Sequence, residues 1–253
     1  MKIKINFKIN GSLEIPMNYN HILQGFILNN LNDEKMKSFF HDKGYECNNR
    51  TFKNYCFSKL YGNFTLNRDK KTITFYDRMS LYVSAIDKEF LKALGNTFMF
   101  KENFFIGANN VQVEGFEVVR EDINNEIDIY TLSPITVYST LYGENNKKTY
   151  YYNPKEHEFS ELLRENLIKK YIAYYKQEPK DKTFSIEPLR KLKESILIYK
   201  GFIIKGWNGE FRLKGSKELI EVALSAGLGS KNSQGMGCIM LKNKILDDCK
   251  MRS

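Results

Sequence analysis

The chain has 253 residues, 42% hydrophobic, 27% charged and 14% aromatic, with 5 prolines and a formal net charge of +9. This composition excludes a disordered tail and a collagen-like fibre, and leaves enough apolar material for one large domain or two small ones. The charge is uneven: residues 1–130 hold 17 Lys/Arg against 16 Asp/Glu, residues 131–253 hold 22 against 14, and a basic half points to a polyanion such as nucleic acid.

Ile3, Ile5, Phe7 and Ile9 alternate with polar residues, the period of a half-buried strand. After Pro16, Asn20 is the expected N-cap of a helix through Leu31, with Ile22, Leu23, Phe26 and Ile27 on one face. A short helix over 33–40 ends near His41 and Gly44. Strands are predicted over 55–60, 72–76 and 81–86, a helix over 88–94, and a closing strand over 111–119. That order is the order of a ferredoxin-like unit. The acidic stretch 121–128 marks the boundary between a first domain, residues 1–125, and a second, residues 126–253. The second domain repeats the α+β theme, with a strand over 129–132, the breaker Ser133 and Pro134, and a helix over 158–175. Strands over 196–207 and 210–213 are expected to pair through a turn at Asn208 and Gly209, residues that tolerate positive φ. Ser216 caps a helix with Leu219, Val222, Ala223 and Ala226 on one face, Gly227 ends it, and 238–241 returns as a strand.

No apolar run reaches the roughly 18–20 residues of a membrane span, and the N-terminal MKIKINFKIN lacks the apolar block of a signal peptide. The four cysteines (Cys47, Cys56, Cys238, Cys249) form no C-x-x-C pair, and the histidines (His21, His41, His157) are scattered. The expectation is a cytoplasmic protein with reduced thiols, no metal site and no cofactor, away from the membrane.

The most distinctive stretch reads Gly227-Leu-Gly229-Ser-Lys-Asn-Ser-Gln-Gly235-Met-Gly237. Such a segment can leave backbone N–H groups open to a phosphate, with Lys231 as a point charge and Asn232, Ser233 and Gln234 as neutral donors. It is neither a dinucleotide fingerprint, since Asn232 stands where the third glycine belongs, nor a P-loop, since Gly235 precedes Met236 and Gly237. Both motifs also lie between a strand and the next helix, and this segment has the reverse order. The alternative is a surface loop in which Gly227 only stops the helix. Lys200-Gly201-Phe202 with Trp207 partly matches an RNA-stacking run, but Ile204 and Lys205 break the pattern; a buried strand with Trp207 in the core is the stronger expectation.

The glycine segment and its following strand resemble the C-terminal signature of the CRISPR-associated endoribonucleases that process precursor CRISPR RNA, the sixth Cas protein family of the repeat-associated mysterious protein superfamily. The resemblance extends to Tyr19-Asn20-His21, Leu23-Gln24-Gly25, His41-Asp-Lys-Gly44-Tyr45, the run from Phe52 to Ser58, and Thr131-Leu-Ser133-Pro134-Ile135. It implies two tandem ferredoxin-like (RRM-like) domains with a C-terminal glycine-rich loop, and metal-independent cleavage of CRISPR repeat RNA. The implied products carry 2′,3′-cyclic phosphate and 5′-OH ends. Precursor and mature guide RNA are the implied partners, with other Cas proteins of an effector complex as further candidates; monomer and homodimer both stay open. The alternative is a non-catalytic RNA-binding subunit.

Cutting RNA without metal uses its own 2′-OH as nucleophile, so the protein must move protons and neutralise charge on phosphorus. Imidazoles titrate near ~6.5 and suit the first task; a lysine suits the second. The resemblance implies His41 as the catalytic histidine and Lys53 as a catalytic lysine. A cation at His41, just past a helix, is favoured by the dipole. Where some members carry a catalytic tyrosine on the first helix, this chain has Leu28, so Tyr19 or Tyr45 becomes a possible substitute. Gly229, Lys231, Asn232, Ser233, Gly235 and Gly237 are the expected RNA contacts.

Overall fold

The computed structural model describes residues 1–101, 103–142 and 147–244; Cys249 lies outside them. In the first half, β1 (Lys2–Pro16) leads to α1 (Asn20–Asn29), α2 (Glu34–Ser38) and a π-helical turn, Phe39–Lys43. The hairpin β2 (Tyr45–Cys47) and β3 (Arg50–Phe52) follows, then β4 (Tyr55–Phe57), β5 (Tyr61–Asn67), β6 (Thr72–Ala85), α3 (Lys88–Phe100), β7 (Phe104–Ile106) and β8 (Asn109–Val119). The second half contains β9 (Glu126–Thr131), β10 (Tyr138–Tyr142), β11 (Lys147–Tyr151), α4 (His157–Tyr175), β12 (Phe184–Pro188), β13 (Lys193–Tyr199), β14 (Phe202–Asn208), β15 (Glu210–Gly215), α5 (Lys217–Ala226) and β16 (Ile239–Leu241).

The alternating apolar residues of β1 make it the spine of the first sheet, ordered β4-β6-β1-β8-β7 with β5 also on β6. Ile3, Ile5, Phe7 and Ile9 face a core shared with Phe26 of α1 and Phe90 of α3. Lys2 and Lys4, on the opposite face, are buried as well, because the second half of the chain covers the start of this strand. Lys2 Nζ donates to Glu121 Oε2 at 2.7 Å and to the Ile239 carbonyl at 2.6 Å. A lysine survives there because a carboxylate and a carbonyl replace its water.

The second sheet has the order β12-β15-β9-β16, and α4 and α5 bury Phe159, Leu163, Leu167, Leu219 and Val222 against it. This is an α+β chain with two ferredoxin-like domains. Their seam contains Cys56 and Tyr82 from the first sheet with Leu132, Cys238 and Met240 from the second half. Ser133 locks it: its hydroxyl donates to the Phe57 carbonyl and accepts from the Cys238 N–H, both at 3.0 Å. Among the described residues, no helix is long and apolar enough to cross a membrane.

Three local expectations are corrected. The strands at 72–76 and 81–86 are one continuous β6. The run 196–207 is not one strand but the hairpin β13–β14, turning at Lys200 (φ +48°) and Gly201 (φ +83°). Asn208 and Gly209 do not make a hairpin: β14 pairs with β13, whereas β15 pairs with β9 and β12, so the dipeptide is a corner between sheets. The β13–β14 ribbon covers the glycine segment only with its inner face, where Leu197, Tyr199 and Ile204 meet Met236. Phe202 is 74% exposed, and Trp207 is only half-buried, its indole N–H donating to the Tyr152 carbonyl at 3.0 Å.

Candidate nucleic-acid cleft

A cleft of about 740 Å³ opens between the domains, walled by β3 and the residues after it, by β10, by one face of α4, and by the start of the glycine segment. Arg50, Lys53, Lys169, Lys170 and Lys231 line it, against one carboxylate among the described lining residues, Glu165. Glu165 is itself paired with Lys169 at 3.3 Å. Tyr138 and Tyr142 add aromatic surface. A groove that is cationic and aromatic suits a single-stranded polyanion whose bases can stack.

Lys53 belongs to the first-domain wall. Its ammonium is shielded from solvent and, among the described residues, has no hydrogen-bond partner. Burial pulls its pKa below the usual lysine value, opposed by the Asp42 carboxylate nearby. An ammonium kept dry and unpaired is poised to take an anion.

His41 stands on the Phe39–Lys43 turn, its side chain 63% exposed, with Nδ1 2.6 Å from Asp42 Oδ1. His41, with Lys53 behind it, holds the Asp42 carboxyl below the usual carboxylate range. Gly44 brings the turn and the lysine together: its φ is +82°, and a Cβ there would sit 2.7 Å from the Phe52 carbonyl and 3.0 Å from Lys53 Cδ. Any side chain would push the turn off the end of β3, which Lys53 follows. His41 itself is not among the residues lining the cleft.

Both tyrosine hydroxyls are hydrogen-bonded within the protein. Tyr19 is buried, its hydroxyl accepts the Leu60 N–H at 3.2 Å, and burial pushes its pKa up to about 12. It is a core residue, which corrects the expectation of a supporting role. The Tyr45 hydroxyl donates to Asp87 Oδ2 at 2.6 Å, and burial with that carboxylate raises its pKa. Its ring lies edge-on to Phe39 at 4.9 Å and to Tyr174 at 5.2 Å, so it buttresses the turn. Leu28 is buried in the first core.

The glycine segment is packed, not open. Gly229, Gly235 and Gly237 have φ of +72°, +81° and +70°. A Cβ at Gly229 would collide with the Thr136 carbonyl, one at Gly235 with Asn20 and with Phe57 at 2.6 Å, and one at Gly237 with the Leu228 carbonyl oxygen. The N–H groups of Leu228, Ser230, Gly235 and Gly237 donate to main-chain carbonyls. The expected phosphate cradle of bare amides is therefore corrected: these glycines allow close approach to both domains. Gly235 and Gly237 lie away from the cleft, whereas Gly229, Lys231, Asn232 and Ser233 line it. Asn232 is buried, its amide nitrogen donating to the Leu228 and Met236 carbonyls at 3.0 Å each. Lys231 (φ +60°) keeps its ammonium 5.4 Å over the Tyr138 ring, on the cleft side.

Two anchors of this segment were not expected. Asn20, read as an N-cap, is the first helical residue, and its side chain donates to the Gln234 and Gly235 carbonyls at 2.9 and 3.2 Å. Lys170 of α4 is buried and donates to Gly227 O at 2.6 Å, Gly229 O at 3.1 Å and Asn232 Oδ1 at 2.8 Å. One signal marks it: Phe159, Leu163, Leu167 and Lys170 follow helical spacing, so this lysine falls on the buried stripe of α4. His21 is exposed, with Nδ1 3.1 Å from the Asn18 carbonyl, and His157 is exposed beside Glu161.

Residues 117–241 match the family model described as CRISPR associated protein Cas6, C-terminal. A CRISPR-associated endoribonuclease-like protein Cas6 of Pyrococcus furiosus is 30% identical over 166 residues, 65% of this chain and 68% of that protein. The CRISPR-associated endoribonuclease Cas6 1 of Methanocaldococcus jannaschii is 26% identical over 249 residues, 95% of this chain and 92% of its own length. The structure of a Cas6-related protein from Pyrococcus furiosus superposes with a TM-score of 0.83 at 26% identity, covering 96% of this chain and 99% of that one.

Proposed function

The chain belongs to the Cas6 family of CRISPR-associated proteins, and from that premise we propose that it is an endoribonuclease that cuts CRISPR repeat RNA in the precursor transcript. In this reading residues 1–125 carry the chemistry, residues 126–253 carry most of the grip, and the cleft receives the RNA strand. The ribose 2′-OH next to the cut attacks its own phosphodiester, so no metal-bound water is needed. His41, with Nδ1–H held by Asp42, presents Nε2 for proton transfer; an adjacent carboxylate that fixes the tautomer is a recurrent device. Lys53 neutralises the charge growing on the non-bridging oxygens, and its desolvated ammonium interacts with that charge more strongly than an ammonium in water. Lys231 and Ser233 contact the strand from the opposite wall. The observation that carries this reading is the unpaired, water-shielded Lys53 ammonium beside the His41–Asp42 pair.

The test is cleavage of the cognate repeat in excess chelator. Products with 5′-OH and 2′,3′-cyclic phosphate ends are expected, and a single 2′-deoxy sugar at the cut site blocks the reaction. Loss of cleavage in chelator, or normal cutting of the deoxy substrate, overturns the mechanism. The position of His41, exposed and outside the cleft lining, favours one second reading, an RNA-binding subunit without catalysis. Intact RNA after long incubation with excess protein would establish it.

A further inference from the structure

Lys170 lines the cleft, yet its ammonium is engaged wholly within the protein. It is 2% exposed, and its three ammonium hydrogens match three acceptors on one segment, Gly227 O, Gly229 O and Asn232 Oδ1. Its own main-chain carbonyl accepts from Asn54 Nδ2 at 3.3 Å, and Asn54 adjoins Lys53. Asn54 has a φ of +52° and is itself buried. A single residue of α4 thus ties both walls of the cleft. The groups bonded to the ammonium are all neutral, so no counter-charge among them offsets its desolvation, and its removal would leave three buried acceptors without a donor.

We propose that Lys170 is a positioning residue for RNA handling: its ammonium holds residues 227–232 as one wall of the cleft while its main-chain carbonyl holds Asn54 beside Lys53 on the other, so that one residue sets the gap the strand must enter. The inference rests on the RNA-cleaving reading above, and its test separates the two.

In the full chain, Lys170→Met keeps the bulk of the side chain and removes the donors. Two readouts are taken. Amide hydrogen exchange over residues 228–237 is expected to accelerate at least tenfold, with β1 unchanged. In single-turnover cleavage of the repeat, the protein concentration at half-maximal rate is expected to rise at least tenfold, with the plateau rate within threefold of wild type. Lys170→Arg, which restores charge and donors, is expected to recover part of both. Unchanged exchange, or a loss confined to the plateau rate, overturns the proposal. Faster exchange in a chain whose wild type neither binds nor cuts RNA would leave Lys170 as the segment's anchor and overturn its role in RNA handling, together with the functional reading.

Should Lys170→Met not fold, the wild-type chain carries the test. Burial pulls the Lys170 pKa down to about 7, so above that pH an opening of the segment that rehydrates the amine must also take up a proton. The titratable groups that act on it or line the same cleft are the Cys56 thiol on β4, Cys238 and Lys2 beyond that thiol, and Arg50, Lys53, Glu165, Lys169 and Lys231. Exchange over 228–237, corrected for its intrinsic pH dependence, is expected to fall relative to β1 between pH 6 and 8.5, and to do so also in Lys231→Met. A flat ratio overturns the proposal.

Discussion

The turn at Phe39–Lys43 and the glycine segment at 227–237 are built on opposite terms. The turn shows its histidine to solvent and is held from below, by Phe40 against Phe90 at 4.5 Å and by the close approach that Gly44 permits. The glycine segment turns inward, with residues 227–229, 232 and 235–237 buried and anchors from α1 and α4. Proton transfer needs an accessible imidazole whose motion costs little, whereas a binding wall needs a fixed contour. Glycine serves both places by the same property, the absence of a Cβ where two backbones meet, and not by flexibility.

That contrast can be tested by damaging each side. The largest effect is expected from His41→Ala: a fall of about 10²-fold or more in single-turnover rate, with RNA affinity within twofold and an unchanged melting temperature, since the side chain is exposed. Gly237→Ala is expected to do the reverse. It places a Cβ against the Leu228 carbonyl at a φ of +70° and should lower the melting temperature by about 5–10 °C, on the order of 2–3 kcal/mol. Gly11 has a φ of +85° with open space around it, so Gly11→Ala should cost only about 1 kcal/mol; equal losses at the two sites would refute crowding as the reason for the glycine segment.

A smaller, signed effect concerns pH. Lys170 releases its proton near 7 when folded and near 10.5 when free. Between those values the unfolded chain binds more protons, so this group makes stability rise as pH climbs from 7 to 10. Thermal melts of Lys170→Met should lack that component, and a pH dependence identical to wild type would contradict the assignment. The smallest effect is expected from Lys231→Ala, which should reduce the salt slope of RNA binding by about 0.7. An unchanged slope would remove Lys231 from the contacts.

Much of the framework was legible in the residues. The alternation of β1, the Ser216 cap and the stripe of α5 each rest on a local pattern that packing reinforces. What stayed hidden depended on partners distant in sequence. Nothing near Lys2 announces Glu121 or Ile239, and nothing near Asn20 announces Gln234. The apolar run at 196–207 read as one buried strand because Lys200 and Gly201 are a weak interruption, yet positive φ at both makes them a two-residue turn. Of the candidate residues, Lys53 and Lys231 line the cleft and His41 is exposed outside its lining, while Tyr19, Asn232, Gly235 and Gly237 have their polar atoms or surfaces engaged within the protein.

Asn20 and Lys170 precede by 214 and 62 residues the acceptors they hold. On a ribosome both anchors emerge first and wait for the stretch they grip. A copy made only as far as α4 therefore holds its imidazole and both anchors but lacks the far wall of the cleft.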